Sequence, residues 1–175
     1  MRAITSLVLP LWLCSALSAQ SPTATSYRFL AEHSDTLDVV IRQATARLNF
    51  LIRPIARSRL RQTNTAYTYL AIDERADTIA ISYEGRAPVR APANGTVTPW
   101  RREDGEPFQI WIQREGELLR HHFKAEDGER LNEFRWSANG DTLWLSVTLT
   151  SPRLPEPVRY RLTYLRARNN NLFPS

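Results

Sequence analysis

The chain has 175 residues, 42% hydrophobic and 23% charged, with 23 Lys+Arg against 18 Asp+Glu. That is room for one domain with a sizeable core, in the balance of a globular protein. Aromatics at 10% exclude disorder over most of the chain, and six glycines and one cysteine exclude collagen-like repeats and disulfide scaffolds.

Residues 1–19, MRAITSLVLPLWLCSALSA, read as a signal peptide. Arg2 supplies the positive end, Ile4 to Leu13 is an apolar run of about ten residues, and Ser15, Ala16, Ser18 and Ala19 suit cleavage. The run is shorter than the roughly twenty residues a spanning helix needs, and no later segment is longer, so no transmembrane span is expected. Cys14, the lone cysteine, sits inside this signal, and Leu13 stands where a lipid anchor needs a small residue. The mature chain is therefore expected to be exported, periplasmic or extracellular, and to lack thiol chemistry.

Residues 20–33 read as a tether, and the single domain is expected over 34–175. Ser34 or Asp35 can cap a helix. Leu37, Val40, Ile41, Ala44, Leu48, Leu51, Ile52 and Ile55 then recur at helical spacing, which predicts one amphipathic helix with a buried face. Pro54 ends or kinks it and opens a second short helix to about Leu60. Arg42, Arg47, Arg53, Arg57, Arg59 and Arg61 occupy a stretch without an acid. Arg53, Arg57 and Arg61, spaced by four, share a helix face that suits an anionic surface such as anionic lipid or polysaccharide.

From Thr65 the period switches to two. Strands are expected at 66–73, 77–85, 96–103, 107–114, 117–125, 129–137, 141–150 and 157–167, with a short edge strand in 87–94 broken by Pro88 and Pro92. Asp104-Gly105, Glu115-Gly116, Asp127-Gly128 and Asn139-Gly140 mark tight turns between them. Eight strands joined this way pair antiparallel. An up-and-down barrel hides both edges, and a sandwich is the competitor. The fold class is thus mainly β: a meander closing into a roughly eight-stranded barrel, preceded by the helix.

Alternation defines the inward rows: Ile79, Ile81, Tyr83; Phe108, Ile110, Ile112; Leu119, His121, Phe123; Arg130, Asn132, Phe134, Trp136; Leu143, Leu145, Val147, Leu149; and Val158, Tyr160, Leu162, Tyr164. Such an interior either fills with side chains or holds one small ligand. The candidate ligand-binding residues are Tyr67, Tyr69, Tyr83, His121, Asn132, Trp136, Tyr160 and Tyr164. Trp111, Trp144 and Leu165 point outward, and the helix would cover them or else plug a barrel mouth.

The strand count, the closing strand VRYRLTYLRAR (158–168) and the hairpin SANGDTLWLSVTL before it (137–149) resemble secreted bacterial lipocalin-like (calycin-type) β-barrel proteins. The runs NFLIRPIARSRLR (49–61), YEGRAPVRAPANG (83–95) and FKAEDGERLN (123–132) look like those of secreted bacterial proteins of unassigned function. The resemblance implies a barrel and no activity.

Little in the chain suggests catalysis. His121 and His122 are strand neighbours on opposite faces, so they cannot share a metal, and His33 lies far off in sequence. Glu103, Asp104 and Glu106, and again Glu126, Asp127 and Glu129, flank turn glycines where acids are solvated. No nucleophile elbow or phosphate loop is present, and the basic stretch lacks aromatic interleaving, so no catalytic residue, metal, cofactor or nucleic acid is expected. The expected function is non-enzymatic binding of a small apolar or amphipathic ligand in an exported barrel. The alternative is an envelope interaction protein that docks its basic helix on an anionic surface.

Overall fold

A computed structural model describes residues 24–168. Residues 1–19, read as a signal peptide, lie with Cys14 outside the described residues. Ten antiparallel strands form one sheet: β1 (Thr25–Phe29), β2 (Tyr69–Glu74), β3 (Thr78–Tyr83), β4 (Val89–Pro92), β5 (Thr98–Arg101), β6 (Pro107–Glu115), β7 (Leu118–Ala125), β8 (Gly128–Trp136), β9 (Thr142–Thr150) and β10 (Val158–Arg166). Each pairs with its sequence neighbour from β5 to β10 and from β1 to β4, and β1 also pairs with β10, Tyr27 opposite Arg166 and Phe29 opposite Tyr164. The meander therefore wraps round until β4 and β5 are its two ends.

The remaining seam is nearly closed. Asn94 bridges Gln113 on β6, and the Gly95 amide donates to the Ile112 carbonyl at 2.8 Å. Gly95 holds φ +82°, and a Cβ there would sit 3.0 Å from the Gln113 side chain, so backbone and seam both require glycine.

The meander and barrel match the sequence reading, but the strands number ten instead of eight. The edge segment forms β4. The other addition, β1, falls in the segment read as tether: five residues whose Ser26 and Tyr27 are both buried between β2 and β10, so no alternation marks them.

Between β1 and β2 lie a short 3-10 turn (Ala31–His33) and two helices, α1 (Leu37–Ala44) and α2 (Arg53–Thr63). The long helix expected through residue 55 stops at Ala44. There the buried Thr45 hydroxyl turns back to donate to the Ile41 carbonyl at 2.8 Å, a local bond that competes with helix continuation. Pro54 opens α2, where its missing amide hydrogen does no harm.

Ile41 and Leu60, one from each helix, join the barrel core. The helices thus cap the end of the barrel where β8 and β10 begin. They do not cover the outward residues. Trp111 stacks on His122 at 4.4 Å, and Trp144 and Leu165 line an outer groove of about 620 Å³ with Leu30, His33 and Arg161. Leu51, Ile52 and Ile55, expected on a buried face, are exposed instead at 69%, 53% and 60%, and Phe50 beside them is exposed at 72%. They fall on the α1–α2 turn and the solvent side of α2.

Candidate functional site

The strand register sets which side chains meet inside. Residues opposite one another share a face. His121 faces Asn132, Asn132 faces Val147, and Val147 faces Tyr160. Leu119, Phe134, Leu145 and Leu162 form the next row, all buried. The inward rows read from the alternation therefore do face inward, and side chains fill this interior.

Charged side chains stand at both ends of that wall: Arg114 and Glu74 pair at 3.3 Å at the end away from the helices, and Arg130 stands at the helical end. The Arg130 guanidinium donates from Nε to Asn132 Oδ1 at 2.8 Å, from Nη2 to the Tyr160 hydroxyl at 3.3 Å, and from Nη1 to the Thr63 carbonyl at 3.1 Å and Asn64 Oδ1 at 3.2 Å. Tyr160 donates its own proton to Asn64 Oδ1 at 2.9 Å. The Asn64 amide nitrogen donates to the Leu60 carbonyl at 2.8 Å, closing α2. Asn132 Nδ2 reaches the Tyr83 hydroxyl at 3.4 Å. A continuous polar line thus runs from Tyr83 in the wall to the last turn of α2.

Burial sets the charge states along it. It pushes the Tyr83 hydroxyl up to about 12 and raises Tyr160 and Tyr164, so all three stay protonated donors near neutrality. Desolvation, with the Arg130 and His122 charges behind it, holds His121 down to about 3, so its imidazole is neutral. Both His121 nitrogens and the Tyr164 hydroxyl are buried without a hydrogen-bond partner.

The other candidates scatter. Tyr67 precedes β2 with its ring 5.0 Å from Tyr83. Tyr69 pairs with the exposed Arg28 and so faces away from the interior, a correction that follows from the two-residue period. Trp136 belongs to the far end, where its indole donates to the Tyr27 hydroxyl at 2.8 Å and Arg114 lies 4.6 Å over its ring. A cavity of about 160 Å³ opens there among Thr25, Tyr27, Ile72, Glu74 and Trp136.

Arg53, Arg57 and Arg61 do share one face of α2, and that face is turned to α1. Arg53 donates to the Leu48 carbonyl at 2.9 Å, Arg57 to the Thr45 hydroxyl at 2.9 Å, and Arg61 to Asp38 at 2.8 Å. They clamp the two helices together, where the sequence reading had an open cationic face.

The two histidines of the pair part as expected, His121 against Phe123 inside and His122 against Trp111 outside. Among the described residues no three His, Cys, Asp or Glu side chains gather as a metal would need. In the acidic turns Arg86 pairs with Glu103, Arg102 with Asp104 and Glu106, Arg153 with Asp127 and Lys124 with Glu129, and Arg102 holds the Asp104 carboxyl down to about 2. Among the described residues no helix is long and apolar enough to cross a membrane. Asn64, which the sequence reading passed over, is the missed member of the site; an Asn just past an amphipathic helix is the signal that could have found it.

No protein-family model matches the chain, and no curated protein matches its sequence. Solved structures do match. A REP1-NXSQ fatty acid transporter superposes with TM-score 0.53 at 13% identity, over 83% of this chain and 96% of that one. The fatty-acid-binding protein isolated from Manduca sexta gives 0.51 at 15% identity, over 83% and 99%. An abundant heat soluble (SAHS) protein from Ramazzottius varieornatus gives 0.55 at 13% identity, over 81% and 93%. At such identities the likeness is one of fold, an antiparallel lipocalin-like β-barrel.

Proposed function

We propose that this protein is a non-enzymatic binder of a small, mostly apolar ligand with an acidic head, carried inside an exported barrel. The observation behind the reading is Arg130. Arg130 is half-buried at the helical end of the barrel, with its Nη1 bond to Thr63 open to water, and its remaining nitrogens point into the wall, where a cation is unfavourable unless paired. Here its partners are neutral: Asn132, Tyr160, Asn64 and a carbonyl. A carboxylate at that point would give it a counter-charge and would take a second bond from Tyr160. Two of the similar structures are, by name, a fatty acid transporter and a fatty-acid-binding protein, which supports an apolar ligand. The filled interior means the ligand displaces side chains and lifts the helical cap to enter.

Titration of hexadecanoic acid and its methyl ester against an apolar fluorescent probe tests this. The acid displaces the probe saturably, one per chain, and more tightly than the ester; Arg130→Leu removes the difference. No displacement by either compound would overturn barrel binding, and equal displacement by both would overturn the role of Arg130.

A second reading rests on the α1–α2 turn. Phe50, Leu51, Ile52 and Ile55 are exposed in the same helical segment as the exposed Arg42, Arg59 and Arg47, the last paired with Glu156 at 3.5 Å. An apolar tip among cations suits insertion into an anionic lipid surface. Under this reading the tip, and not the Arg53–Arg57–Arg61 row, carries the contact. Vesicles containing anionic lipid retain the protein at low salt and release it as salt rises; salt-independent or absent retention would sink this reading.

A further inference from the structure

Among the described residues, His121 is a fully buried side chain on the inner wall with two polar atoms, both of them unmet. Its cross-strand neighbour Asn132 turns its amide elsewhere, Oδ1 to Arg130 and Nδ2 to Tyr83, and makes no bond to either His121 nitrogen. The other cross-strand neighbour is Ile112, and Phe123 lies against the ring at 4.1 Å. A leucine or phenylalanine would pack in this apolar setting without leaving anything unpaired. The imidazole is neutral here, so it presents one N–H donor and one bare nitrogen acceptor. The unpartnered Tyr164 hydroxyl is a second such group in the same interior.

Resting on the reading that the barrel takes an acid headed by Arg130, we infer that the ligand carries a hydroxyl partway along its chain, received by His121. A hydroxyl can donate to the bare nitrogen or accept from the protonated one, whereas a methylene meets neither. Its position follows from the register. Arg130 is opposite Phe123 and His121 is opposite Asn132, so the two lie on adjacent strands offset by two residues. That offset is about 7 Å along the wall, which puts the hydroxyl several carbons below the head and well short of the chain end. Such selection is strong in principle, because a buried group built to bond a hydroxyl is left unpaired by the analogue lacking it.

The test measures dissociation constants of the full chain for hexadecanoic acid and for a series of hexadecanoic acids with one hydroxyl stepped along the chain. Wild-type protein binds one internal position at least about tenfold more tightly than the plain acid. His121→Phe reverses the order, tightening the plain acid and weakening that hydroxylated one, while His121→Gln, which keeps a donor and an acceptor, retains part of the preference. Equal affinity of wild type for the plain acid and every hydroxylated form would overturn the inference while leaving acid binding intact. A preference that survives His121→Phe would overturn it as well. If no acid of the series binds, the acid-binding reading fails and this inference falls with it.

Discussion

Arg130 on the barrel wall and Asn64 at the end of α2 are joined across 66 residues by a 3.2 Å hydrogen bond. The bond ties the helical cap to the interior, and Tyr160 reinforces it at 2.9 Å. An acidic head that takes Arg130 and Tyr160 must compete with Asn64 and the Thr63 carbonyl. Binding should therefore loosen the end of α2. Amide exchange at Leu60–Asn64 is expected to be faster with saturating hexadecanoic acid than without, and slower exchange on binding would place the head elsewhere. In the free protein Asn64→Ala leaves Tyr160 and Arg130 each short of a partner, a loss of about 1–3 kcal/mol in denaturant titration.

His121 makes stability depend on pH. Its folded pKa, about 3, lies far below the ordinary histidine value. Above the ordinary value, folded and unfolded chains both hold a neutral imidazole and stability is full. As pH falls, the unfolded chain takes up a proton that the folded one refuses, so stability drops from there down toward pH 3. By pH 5 the loss is about 2 kcal/mol. His122, lowered by desolvation, acts in the same direction. The stability difference between wild type and His121→Phe isolates the buried ring: it should shift toward the variant as pH falls from 7 to 5. A pH-independent difference would show that the imidazole takes up a proton in the folded state.

The arginine clamp predicts unequal costs along one row. Arg57 is half-buried and donates to the buried Thr45, itself bonded to the Ile41 carbonyl. Arg57→Ala removes that link and should destabilise by about 1 kcal/mol. The Arg61–Asp38 pair is open to water on both sides, so it contributes little and salt screens it. Arg61→Ala should cost less and lose its effect in high salt, while Arg57→Ala keeps its effect. Equal, salt-sensitive losses would mean that the clamp is ionic throughout.

The same row shows how far the sequence could be read. Spacing by four puts Arg53, Arg57 and Arg61 on one face, but spacing is silent about what that face meets, and α1 meets it. Alternation was a better guide in β9 and β10, where one side is core and the other solvent, so the period itself carries the burial. It separated His121 from His122 for the same reason. It failed for β1, because Ser26 and Tyr27 are both buried and five residues hold too few repeats. The helix boundary falls at Thr45, whose hydroxyl bonds back to the Ile41 and Arg42 carbonyls, a local feature that hydrophobic periodicity does not encode. Arg130 was legible as inward-facing, but its bond to Asn64 pairs residues far apart in the chain, and only the closed barrel brings them together.

The exposed tip and the buried helix face should respond in opposite ways to the same chemistry. Phe50, Leu51 and Ile52 stand mostly in water, so replacing all three by Ser removes little buried area, and stability should stay within about 0.5 kcal/mol of wild type. Ile41 is buried in the core cluster with Leu60, and Ile41→Ala should lose about 2–5 kcal/mol. Vesicle retention should follow the reverse order. The triple Ser variant should lose it while remaining folded, whereas Ile41→Ala, measured below its melting temperature, should keep it. Thermal melts and vesicle sedimentation on the two variants decide the matter together. A triple Ser variant that melts several degrees early would show that the tip packs against the cap, and its loss of retention would then no longer indicate a lipid contact.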